Sequence, residues 1–157
     1  MSTAKRNKIN FEVKELSEAN SLKISLVVSK WNTEITEALF HGAYSTLIQM
    51  GVKKTNINRI DVFGSFELIF GTKIAIKENP DAIITIGSII QGQTKHFDFI
   101  SRSVSSGIKD LNILYDIPII FCVLTDNNYQ QAIDRSGGKY GNKGIESAIA
   151  AVEMALL

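Results

Sequence analysis

Residues 82–86 read Ala-Ile-Ile-Thr-Ile, a run without a polar face, and no other stretch limits the possible folds so strongly. A strand of that kind must be covered on both sides, which is the condition of a parallel strand inside an α/β sheet. Comparable runs occupy 23–29 and 118–124, and each is followed by residues whose apolar positions recur at helical spacing. Strands alternating with helices predict a parallel sheet layered between helices.

The rest of the chain fills in that plan. After the strand at 23–29, Asn32 or Thr33 is placed to cap a helix that carries Ile35, Ala38, Leu39, Ala43, Thr46, Leu47 and Met50 on one face. Gly51 stands where such a helix stops. A second strand, 56–63, contains Asn58, Arg59 and Asp61 and is too polar for the middle of the sheet, so it belongs at an edge. Helices are expected over about 66–78, 95–115, 128–136 and 143–157, with the third strand at 82–88. The simplest right-handed arrangement is a flavodoxin-like three-layer α/β/α sandwich whose four parallel strands run in the order 2-1-3-4. Residues 1–20 lack periodicity and are expected to form an N-terminal arm, flexible or docked on a neighbour; 21–157 form one domain.

Composition removes several classes of function. A chain of 157 residues with net charge +1 has no general field for nucleic acid or an anionic membrane. Its single cysteine, Cys122, lies in an apolar strand and reads as a small hydrophobe. Residues 1–10 are polar, unlike a signal peptide, and no apolar run reaches the roughly 18 residues of a membrane span, so a soluble cytoplasmic protein is expected. No Walker loop, GxGxxG, CxxC or cluster of metal ligands is present, which argues against an NTPase, a dinucleotide enzyme or a metalloenzyme.

Ligands of such folds collect outside the carboxyl ends of the strands. Those ends carry Lys30, Trp31 and Asn32; Gly64, Ser65, Phe66 and Glu67; the turn Gly92, Gln93, Thr94 followed by His96; and Phe121 with Thr125 and Asp126. The aromatics and carboxylate suit a flat heterocycle. The turn and the helix start behind it suit a small anion. His96 shares a helical face with Ile100, Val104, Ile108, Leu111 and Tyr115 and is expected to point inward. His41, in the first long helix, is read as structural, and Gly137, Gly138 and Gly141 as stop and turn residues.

Three motifs in this order resemble the 6,7-dimethyl-8-ribityllumazine synthase family: GSFEL at 64–68, GSIIQGQTKHFDF at 87–99, and PIIFCVLTDNNYQQAIDRSGGKYGNKGIESAIAAVEMA at 118–155. The resemblance implies condensation of 5-amino-6-(D-ribitylamino)uracil with 3,4-dihydroxy-2-butanone 4-phosphate, the penultimate step of riboflavin biosynthesis, without a cofactor. It implies that Trp31 stacks on the pyrimidine ring and that Ser65, Phe66 and Glu67 hold ring and ribityl chain. Ser88, Ile89 and Ile90 would bind the pyrimidinedione through backbone groups, and Gln93 and Thr94 the phosphate. His96 would be the catalytic histidine. Phe121 and the phosphate-binding Arg135 would come from an adjacent subunit, with Lys143 a basic residue near the same site.

The chain departs from the family's pattern in two places, and around the first motif Ile69 with Phe70 also stand where a second Pro is common, after the hydrophobic that follows Glu67. Phe63 stands where Pro is common before the glycine of the first motif, which implies a less rigid turn and an effect on ribityl affinity. Gln91 stands where Arg is frequent and leaves Arg135 as the main fixed countercharge for phosphate. The resemblance further implies a homopentamer with shared sites. The short glycine-containing connector at 136–143 points to the sixty-subunit icosahedral shell of twelve pentamers, with riboflavin synthase as a candidate partner. A non-catalytic lumazine or flavin carrier is the alternative from another class; Thr94, His96 and Arg135 together argue against it, since a product carrier needs no phosphate ligands. A flavodoxin-like electron carrier is disfavoured by the lack of a phosphate loop after the first strand.

Overall fold

The computed structural model describes residues 13–157. Four strands, β1 (Ile24–Ser29), β2 (Ile57–Val62), β3 (Ala82–Ile90) and β4 (Ile119–Asp126), form a parallel sheet in the order β2-β1-β3-β4. The sheet is ordered by its sequences. β1 is wholly buried and β3 is buried except for half-buried Ile90, so they occupy the centre. The polar β2 is only partly covered and takes an edge. Register is continuous, with Ser29 opposite Val62 and Ile90 opposite Asp126.

Alternate side chains of each strand feed two cores. Ile24, Leu26 and Val28 of β1, with Ile84 and Ile86 of β3, pack against α1 (Thr33–Gln49), α4 (Tyr129–Arg135) and α5 (Lys143–Ala155). Val27, Ile83 and Val123 pack instead against α2 (Leu68–Ile76) and α3 (His96–Leu114). Each such aliphatic side chain contributes about 1.5–3 kcal/mol on burial. The helix period expected for α1 is realised: Ile35, Leu39, Ala43, Thr46, Leu47 and Met50 are buried, and Ala38 half-buried. Gly51 has φ 103°, and its N–H and that of Val52 donate to Ile48 O and Leu47 O, closing the helix in a Schellman turn.

Asn32 does occupy the N-cap position of α1, but its side chain does not cap. Held in the left-handed region at φ 58°, it sends Nδ2 across to Ser88 O at 3.0 Å and so ties the end of β1 to the end of β3. Other differences lie at the margins of elements. α2 begins at Leu68 because residues 65–67 are used in a turn, and β3 and β4 each continue two residues further than expected. The connector between α4 and α5 folds into two short antiparallel strands, β5 (Ser136–Gly138) and β6 (Gly141–Asn142), with Gly137 at φ 139° and Gly141 at φ 80°.

Residues 1–12 of the proposed arm lie outside the described residues. Beyond them, Leu16 N donates to Met50 O, and Ala19 is fully buried in the first core, so the chain joins the domain before β1 begins. No helix among the described residues is long and apolar enough to cross a membrane.

Candidate active site

All four strands are parallel, so their carboxyl ends lie along one rim of the sheet. There the loops after β1, β2 and β3 enclose a cavity of about 540 Å³. Of the residues selected from sequence, Trp31, Ser65, Phe66, Glu67, Ser88, Ile89, Ile90, Thr94 and His96 line it. Gln93, Phe121, Arg135 and Lys143 do not.

The walls differ in chemistry. Trp31 follows β1 and is 62% exposed, and its backbone N–H donates to Ser29 Oγ at 3.2 Å. In the turn after β2 the Glu67 carboxylate folds back to accept the Gly64 N–H at 2.9 Å, which fixes the turn ahead of α2. Ser65 Oγ and Ser88 Oγ are buried and have no hydrogen-bond partner among the described residues, although their residues line the cavity.

His96 is the first residue of α3, and its N–H contacts Thr94 Oγ1 at 3.4 Å. The expectation that it points inward is corrected: His96 is exposed, as is Tyr115, which lies past the helix end in extended backbone. Val104, Ile108 and Leu111 of the stripe are buried, and half-buried Ile100 packs against the same core. In the first turn of α3, Phe97 packs against the second core while the neighbouring His96 lines the cavity. A Cβ built at Gly92 would meet nothing within 4 Å, so the turn leaves open space beside His96.

Four selected residues are not part of the cavity lining. Phe121 is 41% exposed on the edge strand β4. Arg135, at the end of α4, has its Nη1 3.5 Å from Asp126 Oδ1 and donates to Gln131 O at 2.9 Å. Burial raises the pKa of Asp126, and the Arg135 charge works in the opposite direction. Lys143 pairs with Glu146 at 2.6 Å on α5, and Gln93 is exposed in the turn after β3. His41 is exposed, with its ring edge-on to Phe40 at 5.4 Å, outside the cavity.

Phe63 and Phe97 line the cavity and were not singled out as binding residues. Phe63 directly follows β2, and extending the strand-end reasoning by one residue would have found it.

Comparison with known proteins identifies the family. A model of the 6,7-dimethyl-8-ribityllumazine synthase family matches residues 21–157. The chain is 52% identical over 158 aligned residues to the 6,7-dimethyl-8-ribityllumazine synthase of Flavobacterium johnsoniae, covering 100% of this chain and 83% of that one. It is 53% identical to the synthase of Christiangramia forsetii, covering 100% and 95%, and 41% identical to that of Porphyromonas gingivalis, covering 99% and 97%. With the strand order, the rim cavity and a match over most of its length, the chain belongs to the 6,7-dimethyl-8-ribityllumazine synthase family.

Proposed function

We propose that this protein is a transferase that condenses 5-amino-6-(D-ribitylamino)uracil with 3,4-dihydroxy-2-butanone 4-phosphate to give 6,7-dimethyl-8-ribityllumazine, phosphate and water. The observation that carries the reading is the convergence of Trp31, Glu67, Thr94 and His96 on one cavity. The substrate amine is itself the nucleophile, so the protein needs no nucleophilic serine, cysteine or lysine. Its work is to orient two reactants, move protons and stabilise the departing phosphate.

In this reading the indole of Trp31 stacks on the pyrimidine, and Ser65, Phe66 and Glu67 hold the ring and ribityl chain. Backbone groups of Ser88, Ile89 and Ile90 bind the pyrimidinedione. Gln93 and Thr94 receive the phosphate at the start of α3. His96 carries protons as the imine forms, phosphate leaves and the second ring closes with release of water. Arg135 of a neighbouring copy grips the phosphate in a planar fork; its Phe121 closes the aromatic side, and its Lys143 adds charge. Each copy then lends one side of a site and completes another, a head-to-tail contact that closes into a ring. We place the ring at five chains, further assembled into the icosahedral shell, in the cytoplasm.

Mixing the two substrates with the protein and following the lumazine chromophore tests the activity. A rate no greater than the uncatalysed one would overturn it. Light scattering at neutral pH tests the assembly: a mass near five chains would remove the shell and keep the shared site, and an active monomer would remove both.

A further inference from the structure

Trp31 and Phe63 emerge from adjacent parallel strands. Ser29 is opposite Val62, and Lys30 N donates to Val62 O at 2.9 Å, so the two strands are still joined immediately before the rings. The backbone just beyond is held as well, by Trp31 N on Ser29 Oγ and by Gly64 N on Glu67 Oε2. The fold therefore sets the geometry of the two side chains. Their ring centroids lie 6.1 Å apart with the planes at 48°.

Both rings line the cavity, yet Trp31 is 62% and Phe63 72% exposed. Adjacent bare aromatic faces in a cavity wall suit a ligand that covers them. We propose that Phe63 is a binding residue for the heterocyclic substrate. With its plane tilted against the indole, it makes the second wall of a corner: a flat ring stacked on Trp31 presents its edge to Phe63. This inference rests on the reading of the cavity as the pyrimidine site. Phe63 then contributes to capture of the heterocycle and takes no part in phosphate binding or proton transfer.

Trp31 is the only tryptophan of the chain, so its emission reports on this corner alone. The test titrates wild type, Phe63→Ala, Phe63→Leu and Phe63→Tyr with 6,7-dimethyl-8-ribityllumazine while following Trp31 fluorescence, and measures KM for each substrate. An aromatic contact of the usual strength predicts that Phe63→Ala and Phe63→Leu weaken lumazine binding and raise the pyrimidine KM by about 3- to 10-fold. The butanone phosphate KM should stay within about twofold, and Phe63→Tyr should restore binding. Unchanged pyrimidine KM in Phe63→Ala, with Trp31 still quenched by lumazine, would overturn the role of Phe63 and leave the site reading intact. Equal losses for both substrates would overturn it in favour of general packing. Wild-type Trp31 emission indifferent to lumazine would overturn the site reading and this inference with it.

Discussion

Asp126 Oδ1 lies 3.5 Å from Arg135 Nη1, with the two side chains only 5% and 18% exposed, so the end of β4 holds the last residue of α4 through a largely buried ion pair. The same guanidinium donates to Gln131 O and lies 5.2 Å from the Tyr140 ring, while Asp126 Oδ2 is buried and accepts no hydrogen bond from the described residues. If Arg135 grips phosphate, Asp126 sets its aim. Asp126→Asn should raise KM for the butanone phosphate several-fold, change kcat little and leave the pyrimidine KM near wild type; steady-state kinetics with each substrate varied would check it.

Acid should act on that carboxylate in a definite direction. Burial raises the pKa of Asp126. A raised folded-state pKa contributes stability that is present below the unfolded value and is lost as pH rises through the folded one. Wild type should therefore gain thermal stability relative to Asp126→Asn as pH is lowered from 7 toward the ordinary carboxylate range. A melting-temperature difference that is flat or opposite in sign across that window would contradict it.

Glu37 should behave in the reverse sense. Its hydrogen bonds from Arg59 hold its pKa below the usual carboxylate value. Arg59 grips it with Nη1 at 3.0 Å and Nη2 at 2.5 Å, contacts Asp61 at 2.8 Å and lies 4.2 Å from the Phe40 ring. Both partners are about a third exposed, at 30% and 34%, so solvent screening limits the pair. Glu37→Gln should cost about 0.5–1 kcal/mol at neutral pH. The loss should fade as acid titrates Glu37, because a depressed carboxylate stabilises above its unfolded pKa and loses that contribution below. Denaturant melts at pH 7 and pH 4 would measure it.

Replacing His96 with Ala should lower turnover by about 10- to 100-fold, at or below the low end of general acid-base effects, because the reactants stay oriented and are intrinsically reactive. Single-turnover measurements of lumazine formation across pH would check it. An unchanged rate throughout would exclude the imidazole from proton transfer.

Two glycines should separate packing from ligand space. A Cβ at Gly144 would lie 2.0 Å from Leu39 O, at the close approach of α5 to α1, so Gly144→Ala should destabilise by about 1–3 kcal/mol or more. Gly92→Ala meets no protein atom within 4 Å and should leave the melting temperature nearly unchanged. Because Gly92 lines the cavity, its added methyl should be felt in substrate KM.

The sheet order was legible because continuous apolarity put β3 inside and Asn58, Arg59 and Asp61 put β2 at the rim. The strand ends then gave most of the cavity wall, including Trp31, Glu67 and Thr94. Less could be read where period carries no information. The β5 and β6 strands are too short to show alternation, and their turn depends on glycines at positive φ. Helical spacing put His96 on the buried stripe, but spacing does not say where the covering layer ends. Asn32 carries a common capping side chain, yet the carbonyl of Ser88, distant in sequence, takes its amide. Phe63 read as a change in turn stiffness until its ring could be seen beside Trp31.

Cys122 carries the chain's only thiol, 2% exposed in β4, where burial pushes its pKa up to about 11. Maleimides and iodoacetamide, which need an accessible thiolate, should find almost nothing to react with on the folded protein. A cysteine introduced at an exposed position would then take a dye or spin label on an otherwise silent background, and Cys122 could stay in place. Reaction of the native thiol, in turn, would time the opening of the sheet itself.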